Sequence, residues 1–568
     1  MPMSAISCCI LAVLKLSMPA AGERRTVDVA LDSDGRADVS VDVPISDIQQ
    51  LWTPDMQLPY LERKWRIVKD SAPQSSMPCI AYFNLAETNV LFFGADALDG
   101  DGRIASRMNQ ERGVYEVLFQ CAAGADRPVK RFKVTLDRRA IPWTDAVGEW
   151  RESLPCQRGR YPDGAWKPVF CSWYAAHAAV TSDWTERMAA IAADLGFGTF
   201  ILDDGWSYDE AKRVNPETIK TWYRDVGKWD SFSPVKFPDF RAHCARMHAL
   251  GLNYVVWVAP YFVGTRSEAF RRWGFDARKD VRAVEGNVLV DIGNRQMMEG
   301  VTEQLVRLLE DSGIDGLKID FLDYVPTSVD CPHGALAHAY VTDLMRRLRD
   351  VRPNGLFEFR QNYATPANAG LATQFRAGDV PFEWQANLLR LAQIRLCMGD
   401  GVPIHSDPIC WADTETDDNV SRHFMAAMAG VPMLSTDLGK LSSRRRDQIR
   451  GWIGLYTCRI ARFQREGVWK VFYRNGGLSG LVSTRGDEAL VIVADPRGFS
   501  GLCAAAGRRK PLVLNLGYEE LKAPNGVRIA PASYLDLSDS SVKMAERASV
   551  CYHSSERSVP LKSQERRP

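Results

Sequence analysis

The chain has 568 residues, 46% of them hydrophobic and 25% charged, enough to bury a large core and too many for only one, so two or three domains are expected. With 71 Lys and Arg against 70 Asp and Glu, no overall electrostatic pull toward nucleic acid or an anionic membrane surface follows. The 13 cysteines form no CxxC pair and no regular spacing, which argues against a zinc site or a small disulfide scaffold.

In chain order, residues 1–24 open with an apolar run from Ala5 to Leu14, followed by the small residues Ala20, Ala21 and Gly22. This is a candidate signal or targeting segment. The only early basic residue, Lys15, follows the run instead of preceding it, so a secreted or periplasmic location and a cytoplasmic one both stay open. Nothing further along reaches the roughly eighteen apolar residues of a membrane span. Residues 25–150 hold short β-rich runs, such as Val27 to Leu31 and Val114 to Phe119, punctuated by Gly and Asp with no convincing helix, which predicts an N-terminal β-sandwich. Residues 151–167, with Pro155, Pro162 and two glycines, read as a linker.

From 168 to 445 the pattern becomes strand, loop, helix, repeated. Strands are predicted at 168–174, 198–203, 253–258, 314–321, 355–359, 373–379, 402–405 and 432–436, with helices among them at 183–195, 240–250, 297–312 and 336–351. Eight strands alternating with helices predict a closed (β/α)8 TIM barrel. A doubly wound open sheet is the alternative, but no GxGxxG follows any strand. Residues 446–538 return to short strands and predict a C-terminal β-sandwich domain, and 539–568, rich in Ser, Lys, Arg and Glu, are expected to be a disordered tail. The expected fold class is therefore α/β, a barrel flanked by a β-sandwich on each side.

In such a barrel the C-terminal ends of the strands converge on the active site. Asp320 ends one predicted strand and Asp379 another, the two carboxylates that glycoside hydrolysis needs in one cleft. Strand alternation points Lys318 the same way as Asp320, and a cation there suits an ionised nucleophile. The acid/base must hold a proton, which calls for a raised pKa, and Asp379 is the better candidate, with Glu358 and Asp407 as competitors. Asp203 and Asp204 suit the acceptance of sugar hydroxyls, Trp173, Trp206 or Trp257 a flat apolar face, and Glu358, Arg360 and Arg376 are further polar side chains at strand ends. Cys331, His333 and His338 lack metal-ligand spacing.

The ordered set Trp173, then Leu202-Asp203-Asp204-Gly205-Trp206, then Lys236-Phe237-Pro238-Asp239, Trp257-Val258-Ala259-Pro260 and Leu317-Lys318-Ile319-Asp320 resembles the melibiase family of retaining α-galactosidases over residues 169–438. The resemblance implies a double displacement with Asp320 as nucleophile and Asp379 as acid/base. It also implies Asp203 and Asp204 on the galactose O4 and O6 hydroxyls, Lys318 on nearby hydroxyls, Trp173 and Trp257 on the pocket wall, and no metal or other cofactor. Three features depart from the family. Ala259-Pro260-Tyr261 stands where Glu-Pro-Glu is common, Phe359-Arg360-Gln361-Asn362 replaces a Cys- and Gly-rich loop, and the N-terminal domain is short.

The expected activity is exo-acting release of terminal α-galactosyl residues, with an oligosaccharide or glycoside as partner, no nucleic acid or membrane, and a homo-oligomeric state left open. The alternatives are a galactosyl-transferring relative, a hydrolase of another α-glycoside, and, in a different class, a non-catalytic carbohydrate-binding protein. A metal-dependent hydrolase would want a His-x-His on an early strand, which is absent.

Overall fold

The computed structural model describes residues 13–536 apart from 56, 123–130, 157, 278–282, 524, 525 and 527, so the tail expected at 539–568 lies outside the described residues. The N-terminal domain is two five-stranded sheets face to face. One contains Arg36–Pro44 and Val114–Ala122 as antiparallel partners, in which Ala37, Val39, Val41 and Val43 and, opposite them, Tyr115, Val117, Phe119 and Cys121 are buried. That period of two is the mark of a strand with one face in a core. The other sheet includes Cys79–Phe83 and Asn89–Ala95. Rings meet across the interface, Tyr82 on Tyr115 at 5.2 Å and Phe93 on Phe119 at 6.1 Å.

Part of the expected targeting segment is built into this domain. Leu14–Leu16 pairs in parallel with Arg36–Pro44, so the boundary at residue 24 runs through ordered structure, while residues 1–12 lie outside the described residues.

The central body is the expected barrel. Its strands are β1 (Val169–Cys171), β2 (Thr199–Leu202), β3 (Asn253–Val258), β4 (Gly316–Ile319), β5 (Leu356–Arg360), β6 (Gln374–Arg376), β7 (Ile404–His405) and β8 (Met433–Leu434), all parallel to their neighbours. β8 pairs with β1, and the backbone bonds Val431 N to Ile404 O (2.7 Å) and Ser406 N to Val431 O (3.0 Å) close the β7 edge onto the β8 segment. The strands are buried nearly throughout, as a sheet covered on both faces requires.

Helices α1 (Ser182–Asp194), α2 (Phe240–Ala249), α3 (Arg295–Ser312), α4 (Gly334–Val351), α5 (Trp384–Met398), α6 (Asp417–Ala427) and α7 (Ser443–Leu455) form the outer ring. Most start at a side-chain cap: Thr181, Asp239, Asn294, Glu383, Thr416 and Ser442 each accept a first-turn N–H.

The β5–β6 connection has only a 3₁₀ turn, Pro366–Asn368. The N-terminal domain covers the barrel there. The Pro73 carbonyl accepts from Thr365 Oγ1 (3.0 Å) and Asn368 Nδ2 (2.7 Å), and Asp101 Oδ2 accepts from Gly334 N (2.8 Å).

Gly316 opens β4 so close to β5 that a Cβ would lie 1.8 Å from the Leu356 carbonyl oxygen. Gly316→Ala is therefore expected to force β4 and β5 apart and to destabilise the barrel by about 2–3 kcal/mol, the cost of overpacking a close-packed interior. An earlier urea midpoint measures this, and an unchanged midpoint would contradict the strand register that delivers Lys318 and Asp320.

The C-terminal part is a five-stranded sheet, Val468–Arg474, Gly477–Arg485, Glu488–Val493, Lys510–Asn515 and Ser533–Asp536 in spatial order, with a small two-stranded sheet, Leu521–Lys522 and Arg528–Ile529. Alternation divides its side chains. Val482, Val491, Val493 and Val513 pack with the crossing helix Phe499–Ala506, while Leu481, Leu490, Ile492, Leu512 and Leu514 join the large core.

Candidate active site

The strand ends build one cleft, a narrow space of about 40 Å³, whose wall includes Trp173, Asp203, Asp204, Trp257, Lys318, Asp320, Arg376, Asp379 and Asp407. Asp320 follows β4 directly and cannot turn. Its Oδ2 accepts from Trp257 Nε1 at 3.0 Å, and its Oδ1 accepts from its neighbour's amide, Phe321 N, at 3.0 Å and from Arg360 Nη1 at 3.1 Å. Phe321 adopts the left-handed region at φ 59°, a strained conformation for a bulky residue that turns the chain sharply after Asp320, and its ring lies 5.0 Å below the Arg360 guanidinium. Burial pushes the Asp320 carboxyl up, but the charges of Arg360, Lys318 and Arg376 together outweigh it and hold it below its usual value.

Asp203 follows β2 and pairs with Lys318, Nζ to Oδ2 at 2.6 Å, both side chains almost fully buried. Burial works against the Lys318 charge, and Asp203 more than restores it. Asp204 accepts from Trp222 Nε1 at 2.7 Å and Tyr208 OH at 3.1 Å through Oδ2, and burial pushes its carboxyl up to about 6. Gly205 makes the next turn at φ 111°, where a Cβ would lie 2.5 Å from the Ala178 Cα.

Asp379, three residues beyond β6, is half exposed and shares a nitrogen of Arg360 with Asp320. Arg360 Nη1 lies 3.1 Å from Asp320 Oδ1 and 3.9 Å from Asp379 Oδ2. Arg376 Nη1 binds Asp379 Oδ1 at 2.9 Å and Asp407 Oδ1 at 2.5 Å. The expectation that Asp379 has a raised pKa is corrected. What burial it has raises it, but Arg376, Arg360 and Lys318 hold it well below the usual carboxylate range. The raised group is Asp407, fully buried, which burial pushes to about 7 against the pull of Arg376. One cation serving two carboxylates leaves room for one proton on the pair, and the buried member takes it.

Two sequence-derived sugar contacts are corrected. Trp206 lies behind the wall, fully buried, with Nε1 donating to the Trp257 carbonyl at 2.8 Å and its ring 4.5 Å from Phe232. Its side chain follows the turn at Gly205 outward and meets the Phe232 loop. Glu358 lies inside the barrel against Gln374 Nε2 (3.0 Å), Arg376 Nε (3.5 Å) and His405 Nδ1 (3.7 Å) and does not reach the cleft. Alternation does put it on the inner face, but too deep in the barrel.

The sequence pattern of the melibiase family matches residues 156–358, from the linker through Asp203, Asp204, Lys318 and Asp320 to the end of the match at Glu358. The match takes in β1 to β4 and most of β5, so this part of the barrel is melibiase-like. Among curated relatives, this chain is 26% identical over 201 residues to the bifunctional alpha-galactosidase/sucrose kinase of Mediterraneibacter gnavus, covering 34% of this chain and 20% of that one. It is 25% identical over 331 residues to alpha-galactosidase 1 of Pediococcus pentosaceus, covering 53% and 42%. The chain thus spans less than half the length of either.

Among solved structures, a GH36 alpha-galactosidase of Geobacillus stearothermophilus in complex with 1-deoxygalactonojirimycin superimposes with a TM-score of 0.63 at 15% identity, covering 81% of this chain and 70% of that one. The alpha-galactosidase of Thermus thermophilus gives 0.54 at 18%, covering 80% and 98%. At these identities the likeness is one of fold.

The site also contains residues that strand-end reasoning passes over. Tyr174, Tyr223 and Phe321 line the cleft, and Tyr208 and Trp222 hold Asp204. Tyr208, Trp222 and Tyr223 come from the long β2–α2 loop, where the one available signal is a cluster of aromatics without a hydrophobic period.

Proposed function

We propose that the chain is a retaining, exo-acting glycoside hydrolase that removes terminal α-galactosyl residues through a covalent glycosyl-aspartate. The observation that carries this reading is the pair Asp320 and Asp379, delivered by β4 and β6 to the same nitrogen of Arg360 in one cleft. Retaining enzymes hold their two carboxyls only about 5–5.5 Å apart, and one guanidinium nitrogen in reach of both keeps their nearest oxygens within about 7 Å of each other. Asp320, ionised and fixed at both oxygens, attacks the anomeric carbon. Asp379 gives a proton to the departing oxygen and then takes one from the water that releases the sugar.

The Asp379–Asp407 pair supplies that proton. Asp407, fully buried in the cleft wall, accepts from Tyr174 OH (3.2 Å) and Val380 N (2.8 Å), so the half-exposed Asp379 is the member that reaches substrate. Asp203 and Asp204 accept hydroxyl hydrogens, Lys318 donates, and Trp173 and Trp257 flank the ring. Galactose is supported by the alpha-galactosidase relatives and by a structural neighbour solved with raffinose.

The test is a panel of α- and β-linked nitrophenyl glycosides, with the anomer formed first followed by NMR. Hydrolysis of the α-galactoside with α-galactose appearing first is expected. A preference for another sugar would remove the galactosyl assignment, and β-galactose first would remove the covalent intermediate.

A further inference from the structure

Lys236, in the long β2–α2 loop, is buried behind the cleft and is no part of its wall. Its Nζ donates to three backbone carbonyls, Ala178 O at 2.8 Å, Gly205 O at 2.8 Å and Glu210 O at 2.7 Å. That uses every proton an ammonium has. We propose that Lys236 is a positioning residue for Asp204, an internal cation that gathers these three carbonyls and so closes the loop that holds Asp204 toward substrate; the proposal rests on the reading above, in which Asp204 accepts a sugar hydroxyl.

Connectivity gives the first argument. Gly205 follows Asp204 and Glu210 lies five residues further on, so one nitrogen fastens both ends of the segment 205–210. Tyr208 is inside that closed segment, and its hydroxyl donates to Asp204 Oδ2 at 3.1 Å. The centre of its ring lies 5.0 Å from Lys236 Nζ and 4.8 Å from Lys212 Nζ. Lys212 in turn donates at 2.6 Å to the carbonyl of Trp222, whose Nε1 reaches the same Asp204 oxygen at 2.7 Å. Both side-chain donors to Asp204 are therefore held in place by a buried ammonium.

The chemistry of the three carbonyls gives the second. Oxygens that converge on one point repel one another, and a cation at that point turns repulsion into attraction. The backbone leaves them little freedom to turn away, since a Cβ on Gly205 would lie 2.5 Å from the Ala178 Cα. Burying an ammonium is costly, and burial pushes that of Lys236 down to about 8 against the pull of Asp204, which leaves it a cation at neutral pH. An apolar side chain of the same volume would fill the space without that cost, but it could not gather the carbonyls.

The anchorage of Lys236 gives the third. Its own N–H donates to Ser233 Oγ at 3.1 Å, and its carbonyl accepts from Ser182 N at 2.9 Å, at the start of α1. The loop that carries Tyr208 and Trp222 is thus referenced to the outer ring of the barrel, and Asp204 takes its position from that frame.

The experiment is a double-mutant cycle on kcat/KM for a nitrophenyl α-galactoside in wild type, Lys236→Met, Asp204→Asn and the two combined, together with Lys236→Ala in the presence of n-propylammonium, the fragment which that substitution removes. Lys236→Met keeps the volume of the stem, so the cycle decides the matter even where Lys236→Ala does not fold. Lys236→Met is expected to lower kcat/KM about 10²-fold, the scale of a misplacement of about 1 Å, but by less than about threefold once Asp204 is already Asn. n-Propylammonium is expected to raise kcat/KM of Lys236→Ala about tenfold and to raise its melting temperature, with no effect on wild type, because it binds only the folded and emptied cage. Losses that multiply in the double variant would show that Lys236 does not act through Asp204, and a melting temperature of Lys236→Ala no more responsive to n-propylammonium than that of wild type would remove the cation cage; either result overturns the proposal. Wild-type protein inert toward the α-galactoside would overturn the galactosidase reading alone, since the melting temperatures still report on the cage.

Discussion

Asp320→Gly is expected to lower kcat on α-galactosides by about 10⁴-fold or more, the scale seen when a covalent nucleophile is deleted, and to regain activity in azide with β-galactosyl azide as the product. Removal of the carboxylate leaves a space on the face of the sugar opposite the leaving group, where a small anion attacks and inverts the anomeric centre. Arg360 and Trp257, which now bind the Asp320 oxygens at 3.1 and 3.0 Å, remain to hold it. Arg360 also keeps Asp379 in reach and Phe321 beneath its plane, so the buried guanidinium is not left without partners. Asp320→Asn, nearly isosteric, is the control for folding. Activity within tenfold of wild type in both variants, or an α-configured azide product, would remove Asp320 from the nucleophile position.

How the sequence disclosed this site depends on which physical rule each residue obeys. Asp320 and Lys318 obey strand alternation, a period that can be counted, and both line the cleft. Asp203 and Asp204 were legible because an acidic pair at the end of an apolar run has few other uses, although only Asp203 meets Lys318 while Asp204 is held by Trp222 and Tyr208. Those two partners lie in a loop with no periodicity, and nothing local says where such a loop folds back.

Trp206 and Glu358 show the opposite error. Their positions next to strand ends were read correctly, but the turn at Gly205 and the depth of β5 within the barrel decide that neither reaches substrate, and depth is a property of the closed barrel. The β5–β6 connection carries no full helix for a similarly non-local reason, since the N-terminal domain that covers the gap through Pro73 belongs to another part of the chain. Protonation was the least legible feature. The state of Asp379 depends on Arg360, Arg376 and Asp407 arriving from three different strands.

Asp379→Ala is expected to separate substrates by their need for acid. With an oligosaccharide, kcat/KM should fall by about 10²–10⁴-fold, the range for loss of general acid catalysis. With a dinitrophenyl leaving group, which departs without a proton, kcat/KM should change by less than about tenfold while kcat falls as deglycosylation slows. Equal losses on both substrates would place the acid elsewhere, and Asp407 is the carboxyl next in line.

Asp407 decides the pH dependence. Wild type should lose kcat/KM above about pH 7, as the single proton of the Asp379–Asp407 pair is released. Asp407→Asn leaves Asp379 alone with Arg376, which lowers its proton affinity, so that limb should move to lower pH. Stability carries the matching sign. The Asp407 carboxyl titrates near 7 in the folded chain and near the ordinary 3.8 when unfolded, so the native state retains a proton that the unfolded chain has already released, and its contribution to stability falls as pH rises from about 4 to 7. The asparagine variant should lose that slope, seen as a smaller drop in melting temperature between pH 5 and pH 8. An alkaline limb and a stability slope identical to wild type would show that the proton of the pair is held elsewhere.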